Sequence, residues 1–207
     1  MKKSLTCAVF FILCTAVFCE KITIAAYVEN SFNSLFTKIY EEAGFEVELL
    51  VVPQKRMILM IDNGEACTTI ASDAVITKLM KSRVVKIGFG DKPLETRYVF
   101  AYVRPKDKLA LGDPSLWPAM NIGTVAGNEV SREYAERIKP DRIIEAPTYE
   151  TAVSMLNAGR IDMLFAASGL LETFIDSKKL DITHLEQSFG TVELYHVIPA
   201  KYAGTDV

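Results

Sequence analysis

The segment Gly123-Thr-Val-Ala-Gly-Asn128 carries the clearest chemical pattern in this sequence of 207 residues. It follows an apolar run and precedes a helical pattern, so backbone N–H groups at a helix start can hold a carboxylate or another anion. Thr124, Gly127 and Asn128 are its candidate contacts. The alternative is a plain strand-to-helix turn with Asn128 as the cap, and the sequence leaves both readings open. Tyr27, Glu29 and Asn30 leave the first apolar run at an equivalent place. Tyr27 can stack on a ligand, Glu29 can take a cationic group, and Asn30 reads better as a helix cap. Ser72 and Asp73 close another apolar run, where capping again competes with ligand contact.

The remaining polar residues point away from catalysis. There is no Gly-x-Ser-x-Gly, no Walker loop and no histidine with a plausible partner. His184 and His196 have no cysteine or histidine at metal-ligand spacing. The sequence therefore calls for no cofactor and no metal, and it does not read as an enzyme.

The elements that would position these residues alternate along the chain. Ile22–Ala26 reads as a strand, Phe32–Ala43 as a helix ended by Gly44, and Glu46–Val52 as a second strand. Pro53 suits the first turn of a helix with Met57, Ile58 and Ile61 inward and Gly64 as its stop. Cys67–Ala71 reads as a strand that buries Cys67, Ser72–Met80 as a helix, and Val84–Ile87 as a strand. Thr96–Val103 is a long strand pattern with Tyr98, Phe100 and Tyr102 on one face. From Asn121 the alternation resumes: strand 121–124, helix 129–138, strand 142–145, helix 149–158, strand 161–165, a helix from Ser168 to about Asp176, and strand 192–198. This order predicts an α/β fold with parallel βαβ units. The long strand near residue 100 splits it into two lobes: 20–97 with 190–207, and 98–189. Ligands in such folds settle at the carboxyl ends of strands, and those ends would face one cleft.

Residues 1–19 read as a secretory signal peptide. Lys2 and Lys3 start it, Leu5–Phe18 carries no charge, and Val17 and Cys19 stand before a cut at Glu20. Its fourteen uncharged residues fall short of the roughly 20 that cross a bilayer as a helix. Phe18 stands where a lipoprotein signal wants a small residue. The full chain has 23 basic and 26 acidic residues. Loss of Lys2 and Lys3 leaves the mature chain at about −5, which excludes a general attraction to nucleic acid. Of four cysteines only Cys67 remains, so no internal disulfide can form and the fold rests on its core.

Several stretches together resemble a known family. They are Ala43-Gly-Phe-Glu-Val-Glu48 with Val52-Pro-Gln-Lys-Arg-Met57, Asp62-Asn-Gly-Glu-Ala66, Ile87-Gly-Phe-Gly-Asp-Lys-Pro-Leu94, Met155-Leu-Asn-Ala-Gly-Arg-Ile-Asp162 and Glu193-Leu-Tyr-His196. The chain resembles the small type 2 periplasmic solute-binding proteins, which include the polar amino-acid receptors of ABC importers. The resemblance implies two Rossmann-like lobes joined by a hinge and closing on a small polar solute. It implies a monomer in the periplasm, with the membrane permease of an ABC importer as partner. It also implies that Arg83, six residues before Phe89, grips a ligand carboxylate, while the residues alone equally allow a solvated arginine at a helix end beside Lys78 and Lys81; Arg56 and Arg97 are further candidate anion partners. Two departures stand out. Ala167 occupies the position where amino-acid receptors carry an acid for the ligand's ammonium, and the chain stops just after its returning strand. A ligand sensor or a degenerate member is the rival reading, followed by an enzyme like the cyclohexadienyl dehydratases, which share the fold.

The leader generates a direct expectation. Expressed in a secreting bacterial host, the exported protein should begin at Glu20 by intact mass, while an exported protein retaining residues 1–19 would refute cleavage.

Overall fold

The computed structural model describes residues 21–28, 31–80, 83–88 and 90–202; the leader, Glu29 and Asn30 lie outside the described residues. Strand β1 (Lys21–Ala26) leads through helix α1 (Ser31–Glu42) to β2 (Glu46–Val51), and the two strands pair in parallel from Lys21–Glu46 to Ala26–Val51. Helix α2 (Gln54–Asn63) starts after Pro53 and ends at Gly64, whose φ of 69° is the left-handed cap that glycine adopts without a Cβ penalty. Strand β3 (Thr69–Ser72) follows, then a short α3 (Asp73–Val75) that widens into a π-helical turn over Ile76–Met80. The expected single helix from Ser72 to Met80 is thus two unlike pieces. Strand β4 (Val84–Ile87) falls where the apolar pattern put it.

The second half begins with β5 (Glu95–Val103). After it come a 3-10 turn (Pro105–Asp107), a short α4 (Lys108–Leu111) and a further 3-10 segment over Pro114–Ala119. Then come β6 (Asn121–Val125), α5 (Glu129–Ile138), β7 (Arg142–Ala146), α6 (Tyr149–Asn157), β8 (Met163–Ala167) and α7 (Glu172–Ser177). The helix expected from Ser168 starts later because Gly169, at φ 76°, turns the chain first. The last strand, β9, runs from Thr183 to Pro199. The sequence showed only its second half, because His184–Thr191 is polar and takes its strand form from pairing with β5.

The larger sheet has the order β3-β9-β5-β8-β6-β7, with β4 also on β9. Strands β6, β7 and β8 are parallel neighbours, whereas β9 is antiparallel to β3, β4 and β5. One lobe holds β1–β4 with α1–α3, the other holds β6–β8 with α4–α7, and β5 and β9 run through both. Their register slips between Val99 opposite Gly190 and Phe100 opposite Ser188, a bulge at the passage between lobes.

Period-two alternation sorts the core. Tyr102, Leu164 and Ala166 pack on one face of the second lobe's sheet with Leu156 and Leu171. Ala101, Val103, Met163 and Phe165 pack on the other with Ile122 and Trp117. Strand β8 is therefore apolar on both faces, as central parallel strands are. Trp117 donates from Nε1 to the Leu111 carbonyl at 2.8 Å, which closes that edge. In the first lobe Met57, Ile61, Met80 and Val197 form a separate cluster. Cys67 is only half-buried and precedes β3 instead of lying in it.

A polar group is built into that first lobe. His196 is buried, its ring stacked on Phe36 at 4.3 Å, with Nε2 beside the Thr68 hydroxyl and 3.1 Å from the Tyr40 hydroxyl. Desolvation lowers its pKa from 6.5 to about 4. The unfolded chain therefore binds more protons than the folded one between these values, so stability is complete above about pH 6.5 and falls as the pH drops toward 4. The loss should approach about 1.4 kcal/mol per pH unit within that window. Denaturation midpoints measured from pH 7.5 to pH 4.5 should show this slope, and His196→Gln should flatten it; an unchanged slope in the variant would assign it to other groups.

Candidate functional site

Six strand ends converge on one place. Tyr27 directly follows β1, Gln54 opens α2 after β2, Ser72 closes β3, Asn128 follows β6, Tyr149 follows β7 and Ala167 closes β8. All six line one cavity of about 30 Å³, together with Arg97 from β5, Val130, Leu170, Val192 and Leu194. This is the crevice outside the carboxyl ends of the strands, where open α/β sheets bind ligands. Its size is that of one or two water molecules, far below the roughly 300 Å³ of an ordinary ligand pocket. The cleft is shut on its own side chains.

Those side chains form a chain of contacts between lobes. The Asn128 amide donates to the Tyr149 hydroxyl, and that hydroxyl donates to Gln54 Oε1 at 3.4 Å. Tyr27 and Tyr149 lie ring to ring at 5.6 Å, tilted by 34°. Burial pushes both phenols above the usual tyrosine range, so they act as neutral donors and acceptors. Gly127 comes so near the start of α2 that a Cβ there would meet the Lys55 backbone nitrogen at 3.1 Å. Farther out, Lys78 of the π-helical turn pairs with Glu133 of α5 at 3.0 Å across the cleft.

Arg97 is the one charged side chain among the cavity's described lining. Its side chain is 14% exposed, Nε pairs with Glu95 at 2.5 Å, and Nη1 reaches the Ser168 carbonyl at 3.4 Å. The guanidinium carbon also lies 5.9 Å from the centre of the Phe32 ring.

The candidates read from sequence separate clearly. Tyr27, Ser72 and Asn128 line the central cavity. Ser72 also caps α3 by accepting from Val75 N at 3.3 Å, and Asn128 caps α5 by accepting from Ser131 N at 3.1 Å, so capping and cleft lining coincide. Gly127 adjoins the cavity through its contact with α2. Thr124 is fully buried, with an Oγ1 that has no partner among the described residues. Asp73 pairs with Lys86 at 2.9 Å and faces a different groove, of about 430 Å³, alongside Lys78 and Glu133. Arg83 is exposed, bonded to Asp62 at 2.8 Å and to the Leu79 carbonyl at 2.9 Å, and is not among the cavity's lining residues. Glu29 lies outside the described residues. Gln54 and Tyr149 were not among the candidates. Both sit at helix starts after strands, and that position was the available signal.

Of the aromatic residues on β5, Tyr98 is exposed, Phe100 packs on His184 at 4.3 Å, and Tyr102 donates to Glu172 Oε1 at 2.7 Å within the core. Asp162 accepts from Arg104 at 3.1 Å and from Asn121 N at 3.0 Å, a structural tie at the start of β8. No group of three or more potential metal ligands occurs among the described residues, and no helix there is long and apolar enough to cross a membrane.

No protein-family model and no curated protein matches the sequence. Solved structures do match the fold. The arginine-bound, truncated ArgBP from T. maritima superposes with a TM-score of 0.72 at 11% identity, over 87% of this chain and 89% of that one. The amino-acid ABC transporter substrate-binding protein AbpA from Streptococcus pneumoniae, bound to L-arginine, gives 0.71 at 14% identity over 86% and 81%. A histidine kinase sensor domain similar to periplasmic binding proteins gives 0.67 at 18% identity over 86% and 82%. These neighbours are binding proteins and a sensor, not enzymes.

The contact at Gly127 can be separated from the strain of its backbone. Gly127 has φ 85°, and Gly44 has φ 94° with open space where a Cβ would stand. Either change to alanine should cost about 1–2 kcal/mol from the left-handed backbone. Only Gly127→Ala should also push the lobes apart, seen as a larger radius of gyration in solution scattering. Equal radii for the two variants would show that the contact does not hold the cleft shut.

Proposed function

We propose that this chain, which has the two-lobed fold of type 2 periplasmic binding proteins, is an extracytoplasmic receptor for a small polar solute, an amino acid or organic acid. One observation carries the reading: a single cavity at the crossing of β5 and β9 takes lining residues from six strand ends and both lobes. A ligand that touches both lobes stabilises the closed arrangement over the open one by its differential contacts, and the paired strands act as the hinge. The hinge divides the chain into 20–97 with 190–207 and 98–189; the bulge at Val99–Phe100 lies beside that division. Tyr27, Ser72, Gly127 and Asn128 contact the solute, and Arg97 replaces Arg83 as the anion partner. The protein is a monomeric, non-enzymatic component delivered by the leader to the periplasm, where it hands its solute to the permease of an ABC importer.

The likeness to a histidine kinase sensor domain favours a second reading, in which the same closure signals to a membrane partner instead of loading a permease. Permease and ATPase genes beside this one support import; a neighbouring sensor kinase supports signalling.

Binding raises the melting temperature by mass action, since the ligand favours the folded state. A thermal-shift screen against amino acids, organic acids and sugars should find at least one solute that raises it. A folded protein that answers to none of them would sink the receptor reading.

A further inference from the structure

The central cavity is not isolated. A second cavity, of about 460 Å³, lies at the mouth of the cleft, and Tyr27, Gln54 and Tyr149 line both. These three side chains form the partition between them. The outer chamber is walled by Val28, Val51, Val52, Val125 and Phe174, with Thr148, Glu150, Thr173 and Ser177 at its rim. The inner chamber ends on Arg97, whose Nε is held by Glu95 and whose Nη1 reaches the Ser168 carbonyl at 3.4 Å. The chamber's lining mixes the apolar Val130, Ala167, Leu170, Val192 and Leu194 with the polar Ser72 and Asn128.

The two ends differ in chemistry. A fixed guanidinium recognises a carboxylate by parallel hydrogen bonds. An ammonium in the inner chamber would meet the like charge of Arg97 and no carboxylate among the cavity's described lining residues. The outer chamber offers apolar surface for a body of several carbons. The partition is mobile in principle, because Tyr149 is held there by one long hydrogen bond to Gln54 and one bond to Asn128. Rotation of Tyr27 and Tyr149 would join the chambers into one elongated site with a cation at its inner end.

Building on the receptor function proposed above, we infer that the solute is an amphipathic monocarboxylate without an amino group, its carboxylate on Arg97 and its apolar body passing between Tyr27 and Tyr149 into the outer chamber. An α-amino acid is disfavoured because no carboxylate is among the cavity's described lining residues to take its ammonium. In the complex the ligand's own apolar body replaces the ring-to-ring contact of Tyr27 and Tyr149.

Calorimetric titration of the mature protein with acetate, butanoate, hexanoate, hexanamide, hexylamine and norleucine tests this. Affinity should rise about threefold for each methylene from butanoate to hexanoate as apolar surface is buried. Hexanamide, hexylamine and norleucine should bind at least about tenfold more weakly than hexanoate. Arg97→Gln should weaken hexanoate by a similar factor, whereas Arg83→Gln should not. Val51→Asp, at a position 53% exposed and therefore tolerant of substitution, should reduce the gain with chain length. Norleucine or hexylamine binding more tightly than hexanoate would overturn the inference, as would a loss confined to Arg83→Gln. If an amino acid or sugar binds and no alkanoate does, the inference fails while the receptor reading stands. If nothing binds, both fail.

Discussion

Strand β9 holds this molecule together by pairing on both of its edges. Its second half lies between β3 on one side and β4 with the start of β5 on the other, while its first half continues along β5 into the second lobe. No other described strand joins β3 and β4 to the rest of the larger sheet. Backbone hydrogen bonds between paired strands leave little freedom except where the register slips, and here it slips at Gly190 and Ser188 opposite Val99 and Phe100. A bulge twists and bends a strand pair locally. The register shifts again between Phe100 and Tyr102, so the irregular stretch lies where the two strands pass from one lobe to the other.

The two lobes are packed with different chemistry. The second is filled by alternating apolar side chains of β8 and its neighbours, with Tyr102 the main polar intrusion, satisfied by Glu172. The first carries a methionine-rich cluster and a buried histidine held by Thr68 and Tyr40. His196 is on β9, so the strand shared by the two lobes also places a strongly perturbed base in the first lobe. Its neutral form is the one the interior accepts.

The central cleft is filled by its own side chains. A pocket built for a small solute usually stands open to several hundred cubic ångströms, whereas here the meeting of lobes leaves about 30 Å³. The lost volume is taken by Tyr27, Gln54, Asn128 and Tyr149, which satisfy one another. Under the proposed receptor function, a solute displaces these contacts and supplies better ones. Affinity in such a site depends on the difference between two closed arrangements, one self-filled and one ligand-filled.

Residue order alone determined much of this protein. Apolar periodicity located β1, β2, β4, α2 and α5 to within a residue or two, and α2 and α5 are also bounded by Pro53, Gly64 and Asn128, whose end signals are local. The turns at Gly64 and Asn128 were legible for the same reason: their chemistry is local. The first half of β9 was not, since a polar segment becomes a strand only when a partner edge is present. The split of the Ser72–Met80 helix and the late start of α7 were likewise hidden. At the site, Tyr27, Ser72 and Asn128 could be named as strand-end residues, but nothing in the spacing showed Gln54 and Tyr149 meeting across the cleft, 95 residues apart. Arginine is a cation wherever it stands, so sequence supplied the candidates Arg56, Arg83 and Arg97 together. Only the fold distributed them: Arg56 to Glu65, Arg83 to Asp62 at the surface, and Arg97 to the wall of the central cavity. Which charge faces the cleft depends on long-range strand pairing, and that is a property of the tertiary structure.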